Sequence, residues 1–122
     1  MSLNNWKVEN EQFKQKIQAD ELKKQQYVEE AMKILIVMFN DPNQYQPHIA
    51  YGNRVERTFI IKINDPRNHK ITNYRPEVVT AIHNYLIQNG FKNCGIDFQD
   101  MYVSSYESTN ISGHKLTITT DP

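Results

Sequence analysis

Cysteine is nearly absent from this chain, which has a single one, Cys94, among its 122 residues. One thiol cannot form a disulfide within the chain, and no basic start followed by an apolar stretch opens the sequence as a secretory signal would. The longest nearly unbroken apolar run, 34–39, is far shorter than the roughly 20 residues that cross a bilayer. These absences predict a protein of a reducing aqueous compartment without membrane contact. We expect the cytoplasm, or the host cytoplasm if a phage encodes the chain.

Net charge is also absent, because 14 basic residues balance 14 acidic ones. The resulting pI near 6.9 is far from the strongly basic value that is typical of nucleic-acid binders. With 39% hydrophobic and 11% aromatic residues, the chain can build the core of one domain but not of two. Its richness in Asn, Gln, Lys and Ile indicates an AT-rich coding genome, such as that of a phage or a mobile element.

The motifs of common enzymes are missing as well. The sequence has no phosphate-binding glycine loop, no dinucleotide fingerprint and no nucleophile elbow. Cys94 follows a predicted helix C-terminus, where nothing lowers the pKa of a thiol. The histidines include no pair at the spacing that metal ligands usually have; they are His48, His69, His83 and His114. We therefore predict no catalytic residue, no metal and no cofactor.

What the sequence does have is a long helical start. No Gly or Pro occurs between Asn5 and Phe39, and good helix formers fill the segment. Up to residue 26 the apolar residues form one narrow stripe, whereas 27–39 is apolar on nearly every side and is predicted to belong to the core. We therefore expect residues 1–26 to be a helical arm and residues 27–122 to be a single compact domain.

The arm's stripe consists of Trp6, Phe13, Ile17 and Leu22. A polar helix of this length is marginal alone, because helix nucleation is costly and packing supplies most of the stability. The stripe must then either fold back on its own domain or form an interface with another chain. We favour the interface, and expect a homo-oligomer or, alternatively, a complex with another protein.

The rest of the chain predicts a small sheet and a second helix. Alternation over 55–63 indicates a strand whose odd-numbered residues face the core. Pro76 and Gly90 are typical of the first turn and of the C-terminal cap of a helix over 76–89. Further strands are predicted at 96–98, 101–106 and 114–120, and loops at 43–53 and 64–73.

These elements define the expected fold class as α+β. A long N-terminal helix precedes the order β-α-β-β-β, which gives one small, mainly antiparallel sheet with the helices packed on one face. The last two strands are expected to form a hairpin with a long loop.

A basic segment, residues 54–75, is the only uneven feature of the charge distribution. Cations of this kind bind phosphate groups, and aromatic rings stack on bases. The segment therefore predicts a site for nucleic acid or for a small phosphorylated, nucleotide-like ligand. The competing interpretation, which we favour, is a solvated loop whose charge is balanced by the acidic C-terminal third. The candidate residues are Arg54, Arg57, Lys62, Arg67, Lys70, Tyr74 and Arg75.

Together these patterns favour a small non-enzymatic interaction or assembly protein of phage or mobile-element type that self-associates through its N-terminal helix. Two alternatives stay open. One is the binder of nucleic acid or of a phosphorylated ligand. The other is a small hydrolase whose site combines loop histidines with acidic residues from distant loops, such as Asp97, Asp100 and Glu107.

Overall fold

The computed structural model describes residues 3–62, 64–104 and 109–122. Its strands form one antiparallel sheet in the order β1-β2-β4-β3, and the core lies between this sheet and the helices. The predicted α+β fold, with a long N-terminal helix before a small antiparallel sheet, is confirmed. The elements are α1 (Asn4–Phe39), β1 (Pro47–Ile49), β2 (Val55–Lys62), α2 (His69–Asn73), α3 (Arg75–Gln88), β3 (Cys94–Ser104) and β4 (Thr109–Thr120).

Helix α1 is about 54 Å long at 1.5 Å per residue. It ends at Asn40, whose side-chain amide donates to the Ile36 carbonyl oxygen at 2.8 Å, and Pro42 prevents its continuation. Only Ala31 and Leu35 are fully buried along it. Segment 27–39 contributes to the core as expected, since Ala31 and Leu35 are buried and further apolar residues of the segment pack against the core. The domain nevertheless covers only one side of the helix and leaves Val37 69% exposed on another.

The core joins α1 and α3 to the two inner strands of the sheet. In β2, Phe59 and Ile61 are buried while Ile60 between them is exposed, as the alternation predicts. On β4, Leu116 and Ile118 face the same side. Helix α3 contributes Val78, Ile82 and Leu86, which recur every four residues and are all buried.

Helix α3 confirms the second predicted helix, beginning one residue earlier than expected. Pro76 lies in its first turn. Gly90 has a φ of 95°, a left-handed conformation that glycine adopts without strain. After that turn the Phe91 backbone N–H donates to the Leu86 carbonyl oxygen at 3.1 Å.

Two predicted loops contain regular structure. In 43–53, strand β1 pairs with residues 55–57 at the sheet edge, and the Tyr45 ring beside it packs 5.2 Å from the Phe59 ring. In 64–73, helix α2 buries Ile71 completely. Both elements depend on contacts with residues distant in sequence, so local periodicity does not reveal them.

The strands after α3 also differ from the prediction. The segments expected at 96–98 and 101–106 are one strand, β3, which pairs with β4 as far as Ser104 and has a bulge between Met101 and Tyr102. The bulge keeps the pairing continuous where the apolar alternation is interrupted. The predicted strand residues 63, 105 and 106 lie outside the described residues.

Gly113 lies where strands β4 and β2 approach each other closely. A Cβ atom at this position would lie 2.7 Å from the Ile61 carbonyl oxygen. We expect Gly113→Ala to lower the free energy of unfolding by about 1–3 kcal/mol, because the backbone must shift to relieve the clash. Urea denaturation followed by circular dichroism measures the change.

Gly95→Ala is the matched control, since its Cβ would lie 3.7 Å from the Thr119 Cβ atom, an ordinary contact. That substitution should leave the free energy of unfolding unchanged or raise it by at most about 1 kcal/mol. Equal destabilisation by the two variants would contradict the close approach at Gly113.

Candidate functional site

Residues 3–23, which fall within the predicted arm 1–26, extend beyond the domain, and every one of them is exposed. From here on, the arm means these residues. The helix first meets the domain at Lys24, whose Nζ lies 2.9 Å from Glu77 Oε1 on α3. A second ion pair, at 2.9 Å between Lys70 Nζ and Glu30 Oε2, ties the helix to α2. These two ion pairs attach α1 to α3 and α2 just beyond the C-terminal end of the arm.

Three large apolar residues of the arm lie in one line along the helix, and we call them the seam. Trp6, Phe13 and Ile17 have exposed fractions of 63%, 62% and 62%. Phe13 and Ile17 stand eighteen residues before the buried Ala31 and Leu35. Eighteen residues are about five whole helical turns, so the seam continues the side of α1 that the domain covers.

Leu22, the fourth residue predicted for the interface, lies on another side of the helix. At 100° per residue it is about 140–180° around the axis from each seam residue. Val8 lies on that side as well, and both side chains are 58% exposed. The structure therefore groups Trp6, Phe13 and Ile17 on one line but places Leu22 outside it.

The seam has the spacing of a coiled-coil core. Leu3, Trp6, Asn10, Phe13 and Ile17 follow one another at intervals of three and four residues, which are the a and d positions of a heptad repeat. A polar Asn at one such position fixes the register and the number of helices at some cost in stability. The next positions of the repeat, 20 and 24, are Asp and Lys, so the apolar part ends where the domain begins.

The basic residues of segment 54–75 mostly lie against acids. Arg67 pairs with Asp65 at 2.7 Å, and Lys70 pairs with Glu30 as described above. The remaining contacts belong to two arginines. Arg54 donates to the Asn93 carbonyl oxygen at 3.1 Å and lies 3.8 Å from Asp121, and Arg75 donates to Asp100 at 2.6 Å.

These residues do not form one surface in the part of the chain that the structure describes. Arg54 and Lys62 flank β2 and are about 26 Å apart at 3.3 Å per residue. Lys62 and Arg67 line a groove of about 500 Å³ that Asp41 and Asp65 also line. Tyr74 packs its ring against Tyr27, with the ring centres 5.7 Å apart. This arrangement gives little support to a phosphate-binding site.

Arg57, like Lys62, forms no ion pair with a described residue, in contrast to the other cations of the segment. Its guanidinium group lies 5.6 Å above the Tyr45 ring in a separate cavity of about 250 Å³ between the sheet and the C-terminal ends of α1 and α3. Of the described residues that line this cavity, none is acidic.

An acid and a histidine do meet on β3 and β4. Asp100 and His114 are directly opposite each other in the strand register, and His114 Nδ1 lies 2.9 Å from Asp100 Oδ1. Arg75 also donates to Asp100, and its guanidinium group covers the Phe98 ring at 4.7 Å. The hydrogen bond from Arg75 lowers the pKa of the Asp100 carboxyl below its ordinary value, and the bond from His114 adds to this effect.

This cluster brings a histidine and an acid together, as the hydrolase alternative requires, but the cavity beside it is too small for a substrate. The cavity beside His114 has a volume of only about 10 Å³, which is room for one water molecule at most. Among the described residues that volume leaves no room for a substrate beside His114, and the hydrogen bonds of Arg75 in this cluster link α3 to the sheet. The hairpin register would have revealed the pairing of Asp100 with His114, had the strand ends been known from the sequence.

Metal ligands and membrane spans are equally lacking in the described ranges. Over these residues no group of three or more His, Cys, Asp or Glu side chains is arranged to hold a metal ion. Within the same ranges no helix combines the length and the apolar character that a bilayer crossing requires.

Comparison of the chain with protein-family descriptions, curated proteins and solved structures gives no match. Its function must therefore be inferred from the geometry of its own residues.

The Asp100 cluster predicts a pH-dependent contribution to stability. Because the folded pKa of Asp100 is lowered, its stabilising effect is fully present above the ordinary pKa of 3.8 and is lost as the pH falls through the folded pKa. We expect Asp100→Asn to unfold at a lower urea concentration than the native chain near about pH 7. The difference should shrink steadily below about pH 4.

Asp97→Asn is the control on the same strand, since Asp97 is exposed and accepts a hydrogen bond only from Gln99 among the described residues. Its urea midpoint should follow that of the native chain across the whole pH range. A constant difference between Asp100→Asn and the native chain from neutral to acid pH would rule out the linkage.

Proposed function

We propose that this chain is a non-enzymatic assembly protein that self-associates through the seam of its N-terminal helix. The observation that carries the proposal is the continuity of one helix side, buried at Ala31 and Leu35 and exposed at Phe13 and Ile17. Burying an apolar side chain of this size contributes about 1.5–3 kcal/mol. A second copy supplies the same apolar surface, and symmetric pairing of identical patches is the commonest form of oligomer.

The position of the domain favours one orientation for the two helices. From Lys24 onward the domain occupies the side of α1 on which the seam lies. A second helix running parallel along the seam would meet the domain at that point. In an antiparallel pair, the N-terminus of the partner helix lies beside this point and the helix runs away from the domain, so the two do not collide. We therefore infer an antiparallel pair of arms with a domain at each end.

Antiparallel pairing also places the seam residues in register. With the two-fold axis between Asn10 and Phe13, Trp6 packs against the partner's Ile17, and Phe13 packs beside the partner's Asn10. The flanking charges do not select this orientation, because Glu9 lies opposite the partner's Lys16 on one flank and Lys7 lies opposite the partner's Lys14 on the other. The pairing is mutual, so each contact occurs twice.

The double variant Phe13→Glu, Ile17→Glu tests self-association. We expect it to have the monomer mass of 14.4 kDa at concentrations where the native chain is dimeric, because four carboxylates would be buried in the pair, opposite the Asn10 and Trp6 side chains. Sedimentation velocity over a range of concentrations measures the mass. Helicity should also fall, since an unpartnered polar arm frays.

The matched control is Val8→Glu, Leu22→Glu, which places the same charges at equally exposed apolar positions on the other side of the arm. It should remain a dimer. A native chain that is monomeric throughout the concentration range, or loss of the dimer in both double variants, would refute the proposal.

Disulfide trapping tests the orientation. In a Cys94→Ser background, Leu3→Cys and Asp20→Cys lie opposite each other only in the antiparallel pair. We expect a disulfide-linked dimer when the two single variants are mixed and oxidised, and none when either is oxidised alone. Linkage of Leu3→Cys with itself would instead indicate parallel arms.

A further inference from the structure

The cavity of about 250 Å³ that contains Arg57 lies at the opposite end of α1 from the arm. Its walls are chiefly apolar, and five of the eleven described lining residues are aromatic, which is typical of sites for small organic ligands. An apolar cavity of about 150 Å³ takes up benzene, so this one has room for one aromatic ring with a short polar group. The aromatic residues that line it are Phe39, Tyr45, Phe59, Tyr85 and Phe91.

The guanidinium group of Arg57 is the first of two polar groups in these walls that lack a partner. It packs over the Tyr45 ring but makes no hydrogen bond or ion pair with any described residue, in contrast to Arg54 and Arg75. Arg57 is only partly exposed. A guanidinium group has five N–H donors in a planar fork that matches a carboxylate.

Thr120 carries the second unpartnered group. Its residue is 2% exposed, and its hydroxyl oxygen is buried with no hydrogen-bond partner among the described residues. An unsatisfied buried polar group is rare in a folded protein and indicates an absent partner. The register pairs Arg57 with Ile118, and Thr120 lies two residues further along β4 on the same side. Both residues therefore line the same cavity, but the Thr120 hydroxyl oxygen is itself buried behind this wall, so a ligand in the cavity does not reach it.

Free carbonyl groups at the helix ends beside the cavity do not explain the position of the Arg57 guanidinium group. Arg57 would be needed there if it neutralised free carbonyl groups at the C-termini of α1 and α3. The carbonyl groups of Ile36, Tyr85 and Leu86 accept hydrogen bonds from Asn40, Asn89 and Phe91. Arg57 donates to none of the described carbonyl groups at these ends, so its N–H donors can bind an anion in the cavity.

We propose that this cavity binds a small carboxylate that carries one aromatic ring. The ring packs among the aromatic walls, and the carboxylate accepts two parallel hydrogen bonds from Arg57. The proposal goes beyond self-association and does not depend on it, because no arm residue lines the cavity.

Titration with 3-phenylpropionate, followed by two-dimensional amide NMR, tests the site. We expect saturable shifts at residues around the cavity, including Asn89 and Phe91, and at least tenfold weaker binding of the uncharged 3-phenylpropionamide. Arg57→Met should abolish the saturable shifts. Arg57→Lys should retain only weak binding, because an ammonium group cannot form the paired bonds.

Arg54→Gln is the control for a general loss of positive charge, and it should bind 3-phenylpropionate like the native chain. Absence of saturable shifts in the native chain, equal binding of acid and amide, or equal loss in Arg54→Gln and a folded Arg57→Lys variant would each overturn the proposal.

Discussion

The packing of one side of α1 on the domain, centred on Ala31 and Leu35, determines the rest of the structure. The domain covers the helix only from Lys24 to Phe39, about 24 Å at 1.5 Å per residue, whereas the whole helix is more than twice as long. A helix that exceeds its support in this way must leave part of its apolar side uncovered. The seam is that part, and the aromatic cavity forms where the other end of the helix meets the sheet.

Elements specified by local pattern could be predicted from the sequence, and elements specified by distant contacts could not. The alternation in β2 and the signals of Pro76 and Gly90 act within a few residues, so β2 and α3 are placed almost correctly. Strand β1 depends on pairing with β2, and α2 on burial of Ile71. The extent to which the domain covers 27–39 could not be predicted, because composition shows how apolar a helix is, but not how many of its sides the domain can cover.

The candidate functional sites also divide into those that a local sequence pattern indicates and those that depend on contacts between distant residues. The arm and its stripe could be recognised from helical spacing, although Leu22 falls on another side once the helix is continuous. The basic segment shows the limit of summing charge along a chain, because Asp100, Glu30 and Asp121 come from outside it and meet its cations in the fold. Arg57 differs from its neighbours only through the absence of such an acid among the described residues that line its cavity, which no sequence pattern indicates.

The layout of the arm also bears on the size of an assembly built on the seam. A seam that paired head to tail would leave one copy's surface open and would extend into a filament, whereas mutual pairing of identical seams uses both surfaces and closes. The polar Asn10 within the seam, with Asp20 and Lys24 beyond it, confines the apolar contact to about two heptads. Because the domain occupies the same side of the helix from Lys24 onward, the seam cannot extend beyond that point. Mutual pairing through the seam, as proposed, would place one aromatic cavity at each far end of the pair.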